Sequence, residues 1–258
     1  MAIHLKNNDQ IEKMYRAGQI VREVLDRLGE MVAVGITTEE LDVEAERLCT
    51  ERGGICLFRG VPGRGKAKPF PGCVCASIND EVVHGIPSPD RVLRDGDIVS
   101  VDFGVKLGAW CADAARTYLV GDVAPEVRNL VETTKRCLDI AVERMRPGVK
   151  WTSIAKSMQD HARGQDFSVV EEFVGHGIGR EMHEDPKVPN FVSAELRRRD
   201  IELKPGLVLA VEPMINLGTK DVRVLGDGWT IVTADGKCSA HWEHTLAIID
   251  NGVRVLTG

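Results

Sequence analysis

Two stretches of this chain are versions of one pattern. Asp95-Gly96-Asp97-Ile98-Val99-Ser100-Val101-Asp102 aligns with Pro205-Gly206-Leu207-Val208-Leu209-Ala210-Val211-Glu212, each an apolar strand that ends in a carboxylate. Upstream of each, a histidine stands three residues before a proline, in His84-Gly85-Ile86-Pro87 and in His183-Glu184-Asp185-Pro186. Farther upstream comes a pair of helices. Ile11, Met14, Val21, Val24, Leu25 and Leu28 follow the period of an amphipathic helix. Gly35 breaks it, and Thr37 with Glu40 gives the capping-box spacing that starts a second helix through about Glu51, closed by Gly53-Gly54. The later pair is a helix from about Val127 to Met145, a Pro147-Gly148 break, and a helix starting near Thr152 or Ser153. Three features in one order read as duplication. The duplicated unit predicts an α+β chain of two similar halves, about 11–121 and 122–250, whose sheets meet around a pseudo-two-fold axis. Paired polar residues then converge in a cleft that favours ligands. With no Ser/Gly-rich linker, residues 1–258 are expected to form one domain.

Composition excludes several classes. A net charge of −6 supplies no basic field, so no specific nucleic-acid partner is expected. Met1 to Gln10 lacks the order of a secretory signal, and the longest apolar stretch, Gly206 to Leu217, is interrupted by Glu212 and Asn216 and too short to span a bilayer. Seven scattered cysteines, an odd number without CxxC spacing, fit a reducing compartment, and Cys73 and Cys75 read as one face of a strand rather than a soft-metal pair. The expected location is the cytoplasm.

The densest chemistry lies in acids. Ile98 to Gly104 reads as a strand and Ala109 to Val120 as its antiparallel return, which sets Asp102 and Asp113 directly opposite one another. Carboxylates at cross-strand distance repel unless a proton or cation lies between them; from that pair alone, a solvent-facing hairpin stays open. Glu212 interrupts an apolar run, Glu243 stands between His241-Trp242 and His244-Thr245, and each is costly on a buried strand unless paired or metal-bound. His176, bracketed by Gly175 and Gly177 with Gly179 beyond, suits a ligand at a tight bend. Four carboxylates and one imidazole are too oxygen-rich for a structural zinc site; they suit two divalent ions sharing carboxylates, of Co, Mn, Fe or Zn type.

Several segments carry a specific resemblance. Ser77-Ile78-Asn79-Asp80-Glu81-Val82-Val83-His84-Gly85-Ile86-Pro87, Asp95 to Asp102, Gly175-His176-Gly177-Ile178-Gly179, Asp227-Gly228-Trp229-Thr230 and Ser239-Ala240-His241-Trp242-Glu243-His244-Thr245 resemble the type I methionine aminopeptidases, of the pita-bread fold, from Leu5 to Leu256. The resemblance implies Asp113 and Glu243 as carboxylates bridging the two ions, His176 and Glu212 on one ion and Asp102 on the other. It implies Glu212 as general base in hydrolysis of the first peptide bond by metal-activated water, His183 as donor to the developing oxyanion, and His84 as a contact to the scissile amide nitrogen or an aid to proton movement. It puts the substrate's free amine near Asp102, and a methionine pocket at Cys75, Trp229, Met182 and Phe70, with His84 and His183 also touching substrate. Two departures bear on that pocket: the segment Gly60 to Gly72 has unfamiliar wording, and Met182 stands where an aromatic residue is common.

The implied substrates are amino-terminal methionine peptides and nascent chains, met by a monomer with transient ribosome association. Prolidases and X-prolyl aminopeptidases resemble longer chains with an added amino-terminal domain. The type II enzymes carry a helical insertion between the two glutamates, for which the segment from Glu212 to Glu243 leaves no space. A non-catalytic peptide-binding protein on the same scaffold is expected to lack ligands or histidines that are all present here.

Overall fold

A computed structural model describes residues 3–63, 65 and 67–258. Helix α1 (Asn8–Met31) opens with a capping box formed by Asn7 and Gln10, and α2 (Thr38–Glu51) with the expected one of Thr37 and Glu40. The α1 residues Val21, Val24, Leu25 and Leu28 pack with Leu41 and Ala45 of α2 against Val74, Val99, Val101 and Phe103. Those last side chains belong to a four-stranded sheet. Its central strand, Ile98–Leu107, pairs with Trp110–Leu119 on one edge, while Val74–Ile78 and Ile55–Cys56 share the other.

The second half repeats this layering with different detail. Helices α3 (Pro125–Arg144) and α4 (Trp151–Arg163) cover a core containing Leu209, Val211, Leu246 and Ile248. The five-stranded sheet beneath runs Gly252–Val255, His244–Ile249, Val208–Val211, Gly175–Gly177, Glu184–Val188, all antiparallel. Helix α4 begins at Trp151, just before the expected Thr152 or Ser153. Its N-terminal cap comes from outside the helix, since the Thr152 N–H donates to the Asp200 carboxylate at 3.0 Å. Asp102 also departs from expectation. It lies mid-strand because the ladder with Trp110–Leu119 carries the strand on to Leu107, whereas Glu212 directly follows Val208–Val211.

The two sheets meet along Trp110–Leu119. Glu243 N–H donates to the Ala115 carbonyl at 2.9 Å. Thr245 Oγ1 accepts from the Asp113 N–H at 3.0 Å and donates to its carbonyl at 2.8 Å, while Thr117 Oγ1 accepts from the His241 N–H and donates to its carbonyl. Backbone polar groups of the two halves thus satisfy one another where no water reaches. No described helix is long and apolar enough to cross a membrane.

Candidate metal centre

The hairpin register differs from the sequence expectation. Asp102 pairs with Ala115 and Asp113 with Gly104, so the two aspartates are diagonal and not directly opposite. The turn is the cause: Gly108, at φ 59, opens a two-residue turn that sets Leu107 across from Trp110 and moves the centre of the hairpin along by one residue. Period-two alternation keeps both carboxylates on one face, close enough for the charge of Asp113 to bear on Asp102. Two carboxyls so placed share a proton unless a cation takes its place.

His176 stands within a strand, not at a bend. The flanking glycines serve close approach: a Cβ at Gly175 would collide with the Ala210 carbonyl, and one at Gly177 with the Asp185 carbonyl. Nδ1 of His176 lies 2.9 Å from the Gly177 carbonyl oxygen. A proton held on Nδ1 leaves the lone pair on Nε2, 3.6 Å from Glu212 Oε1. Burial, and then His183, push the imidazole down to about 4, so it is neutral and free to ligate at neutral pH.

All five predicted ligands gather at this point. Asp113, His176 and Glu243 each offer a ligand atom within 4.8 Å of the others; Asp102 joins through Asp113, and Glu212 through His176. The buried oxygens Asp102 Oδ1, Asp113 Oδ1 and Glu243 Oε1 have no hydrogen-bond partner. Burial first, and Asp113 after it, hold Asp102, Glu212 and Glu243 well above the ordinary carboxylate range, and burial raises Asp113 to about 7. Among the described residues no lysine or arginine forms an ion pair with any of the four. Buried oxygens without donors call for a proton or a cation, and mixed carboxylate and imidazole donors fit a divalent cation.

The other predicted residues surround the cage. The His183 ring centroid lies 4.4 Å from that of His176. His84, at φ 60, sets its ring edge-to-face against Phe173 at 5.7 Å and Trp229 at 6.3 Å. Cys75, Phe70, Met182 and Trp229 fall in one apolar cluster, and Cys75 is the ladder partner of Asp102, which puts the pocket directly beside the cage. The segment Gly60 to Gly72 folds back on itself, with Gly60 N–H donating to Phe70 O and Phe70 N–H to Val61 O; Arg64 and Lys66 lie outside the described residues. Trp229 Nε1 ties the segment down by donating to the Lys68 carbonyl at 2.8 Å.

Sequence reasoning missed Leu57, Phe58 and Ile86, which complete this cluster. It also passed over His241, whose Nε2 is buried without a hydrogen-bond partner 4.0 Å from Glu243 Oε2. Burial, and then His84, push that ring down to about 3. The spacing of His241 two residues before Glu243 was the available signal; nothing local marks Leu57, Phe58 or Ile86.

An acidic, imidazole-bearing cage where two sheets join is the mark of a metal-dependent hydrolase. Residues 12–250 match the model of metallopeptidase family M24. The chain belongs to that family, and within it to the methionine aminopeptidases. It is 46% identical to the methionine aminopeptidase of Clostridium perfringens over 99% of this chain and 98% of that one. To methionine aminopeptidase 1 of Bacillus subtilis it is 43% identical, over 95% and 94%. The solved structure of the Thermotoga maritima methionine aminopeptidase superposes with a TM-score of 0.93 at 36% identity, covering 99% of both chains. The Pyrococcus horikoshii prolidase, 19% identical with a TM-score of 0.75 over 98% of this chain and 63% of that one, shares the pita-bread fold alone. The chain is a metal-dependent exopeptidase by family, and divalent metal binding comes with that membership.

Proposed function

We propose that this chain removes the amino-terminal methionine from peptides and newly made proteins, with Asp102, Asp113, His176, Glu212 and Glu243 holding two divalent ions of Co, Mn, Fe or Zn type. The observation that carries this reading is adjacency. An apolar cluster of sulfur and aromatic groups lies beside a cage of buried oxygens that lack donors. When bound, the ions would supply Lewis-acid polarisation of a carbonyl and a lowered pKa for water, and these five side chains would hold them.

The chain's own residues do the rest. Glu212, beside the neutral His176, accepts the proton that water gives up. His183, held below its ordinary pKa by burial, is a neutral N–H donor for the oxygen on which charge develops. His84 contacts the nitrogen of the bond being cut. A thioether seated among Cys75, Met182, Phe70 and Trp229 finds sulfur and ring faces. Its free amine meets Asp102, which restricts cutting to the first residue. The same reading has a cytoplasmic monomer that meets nascent chains transiently at the ribosome. It takes residues 11–121 and 122–250 as copies of one unit, supported by the matched helix pairs and by Gly96 and Gly206, both at φ 89.

The test is an assay of metal-reconstituted protein on Met-Ala-Ser, Met-Pro-Ala and Ala-Pro-Ala, with Glu212→Ala as control. Release of methionine from the first two, lost in the variant, is expected. Cleavage of Ala-Pro-Ala alone would assign the site to X-prolyl peptides, and cleavage of none would leave a binding protein.

A further inference from the structure

The turn that carries Met182 and His183 is irregular backbone between the strands Gly175–Gly177 and Glu184–Val188. Its shape depends on one carboxylate. Glu184 Oε1 accepts the N–H groups of Arg180 at 2.8 Å and Glu181 at 3.3 Å, closing the turn from inside. Glu184 Oε2 receives the ammonium of Lys6 at 2.7 Å, and the Lys6 side chain is 4% exposed, a burial that lysine reaches only when paired. The contact is close on all sides. A Cβ at Gly179 would stand 2.5 Å from Glu184 Oε1 and 2.6 Å from Lys6 Cε, so glycine alone leaves space for the pair.

Lys6 is itself fixed. Its N–H donates to the Gly206 carbonyl at 2.7 Å, at the start of the strand that leads to Glu212. The ammonium therefore ties the root of the Glu212 strand to the turn bearing His183.

We propose that Lys6 is a positioning residue for the hydrolysis: through Glu184 it holds the 179–184 turn so that His183 stands at its working distance from the cage. This rests on the reading of His183 as the donor to the reacting carbonyl oxygen. Misplacement of such a donor by a fraction of its hydrogen-bond length lowers kcat more than it raises KM, because of the apolar cluster's side chains only Met182 rides on this turn. Lys6 touches no substrate; it acts on kcat through His183.

A double-mutant cycle tests this in metal-loaded enzyme on Met-Ala-Ser. Lys6→Met is expected to lower kcat by about tenfold or more with KM within about threefold, and Lys6→Arg, which keeps the charge and a donor, to recover most of the loss. In a His183→Ala background, Lys6→Met should change kcat by less than about twofold, because the residue it acts through is gone. Should Lys6→Met fail to fold, Glu184→Gln carries the test. Its amide oxygen still accepts from the turn, and the charge that Lys6 grips is removed. Losses that multiply in the double variant, or a Lys6→Met enzyme with unchanged kcat, would overturn the proposal for Lys6 alone. A His183→Ala enzyme of full activity would overturn instead the role of His183 on which it stands.

Discussion

The cage and the pocket share a wall at the Asp102–Cys75 pair, yet they are built on opposite plans. Asp102, Asp113, Glu212 and Glu243 stand on core strands or directly beside them, and two of the four are clamped by the other half, Asp113 by Thr245 and Glu243 by Ala115. Around Cys75, the cluster's remaining side chains, Leu57, Phe58, Phe70, Ile86, Met182 and Trp229, all come from segments outside the strands and helices. The difference follows from what each must bind. Carboxylates that share a cation are held against their own repulsion, so their frame must be stiff before the ion arrives. A thioether needs contact and dry surface, which loops supply and can remodel.

If that contrast is right, damage to the cage is catastrophic and damage to the pocket is graded. Asp113→Asn, which keeps the shape and removes the charge, is expected to lower kcat/KM by about a thousandfold or more, together with bound metal. Steady-state kinetics and metal analysis check it; activity within tenfold of the parent would mean that Asp113 is not shared between ions.

Next in size is the response of the empty cage to pH. The four carboxyls are raised above their ordinary range, so the folded chain binds more protons than the unfolded one. Stability from this source is complete below the ordinary carboxylate pKa of about 4 and is lost as pH rises through about 7, where Asp113 gives up its proton. The Tm of chelator-treated protein should therefore fall from about pH 5 to pH 7.5, and added Mn²⁺ at the higher pH should restore it. A Tm that ignores both pH and metal would remove the cation from the account.

The pocket should respond least. Phe70→Ala is expected to raise KM for methionine peptides by about tenfold while kcat changes less, because an apolar contact is lost and the cage is untouched. A fall in kcat as deep as that of Asp113→Asn would erase the distinction between the two regions.

Much of the cage was legible in the chain. Asp102 ends an apolar strand, Asp113 faces it across a turn, Glu212 interrupts an apolar run and Glu243 leads into a strand, and acids in such places call for compensation. The paired helices were legible by period and caps, though α4 starts earlier because Asp200, from a distant segment, supplies its cap. The hairpin was read one residue off centre, since strand pattern alone does not say which two residues make the turn. The burial of Lys6 left no local mark at all, because its sequence neighbours Leu5 and the helix cap Asn7 are both exposed.

By itself the sequence determined which residue types recur, at what period, and therefore which faces are apolar and which acids are misplaced among them. Those are properties of adjacent residues, set by the 3.6 and 2.0 periods of helix and strand. The tertiary structure alone decided that five such residues meet, that Phe58 and Ile86 join the pocket, and that Lys6 reaches Glu184. Such contacts arise when distant segments close over a shared core, and the energy that selects them is spread through packing that no short window of sequence contains.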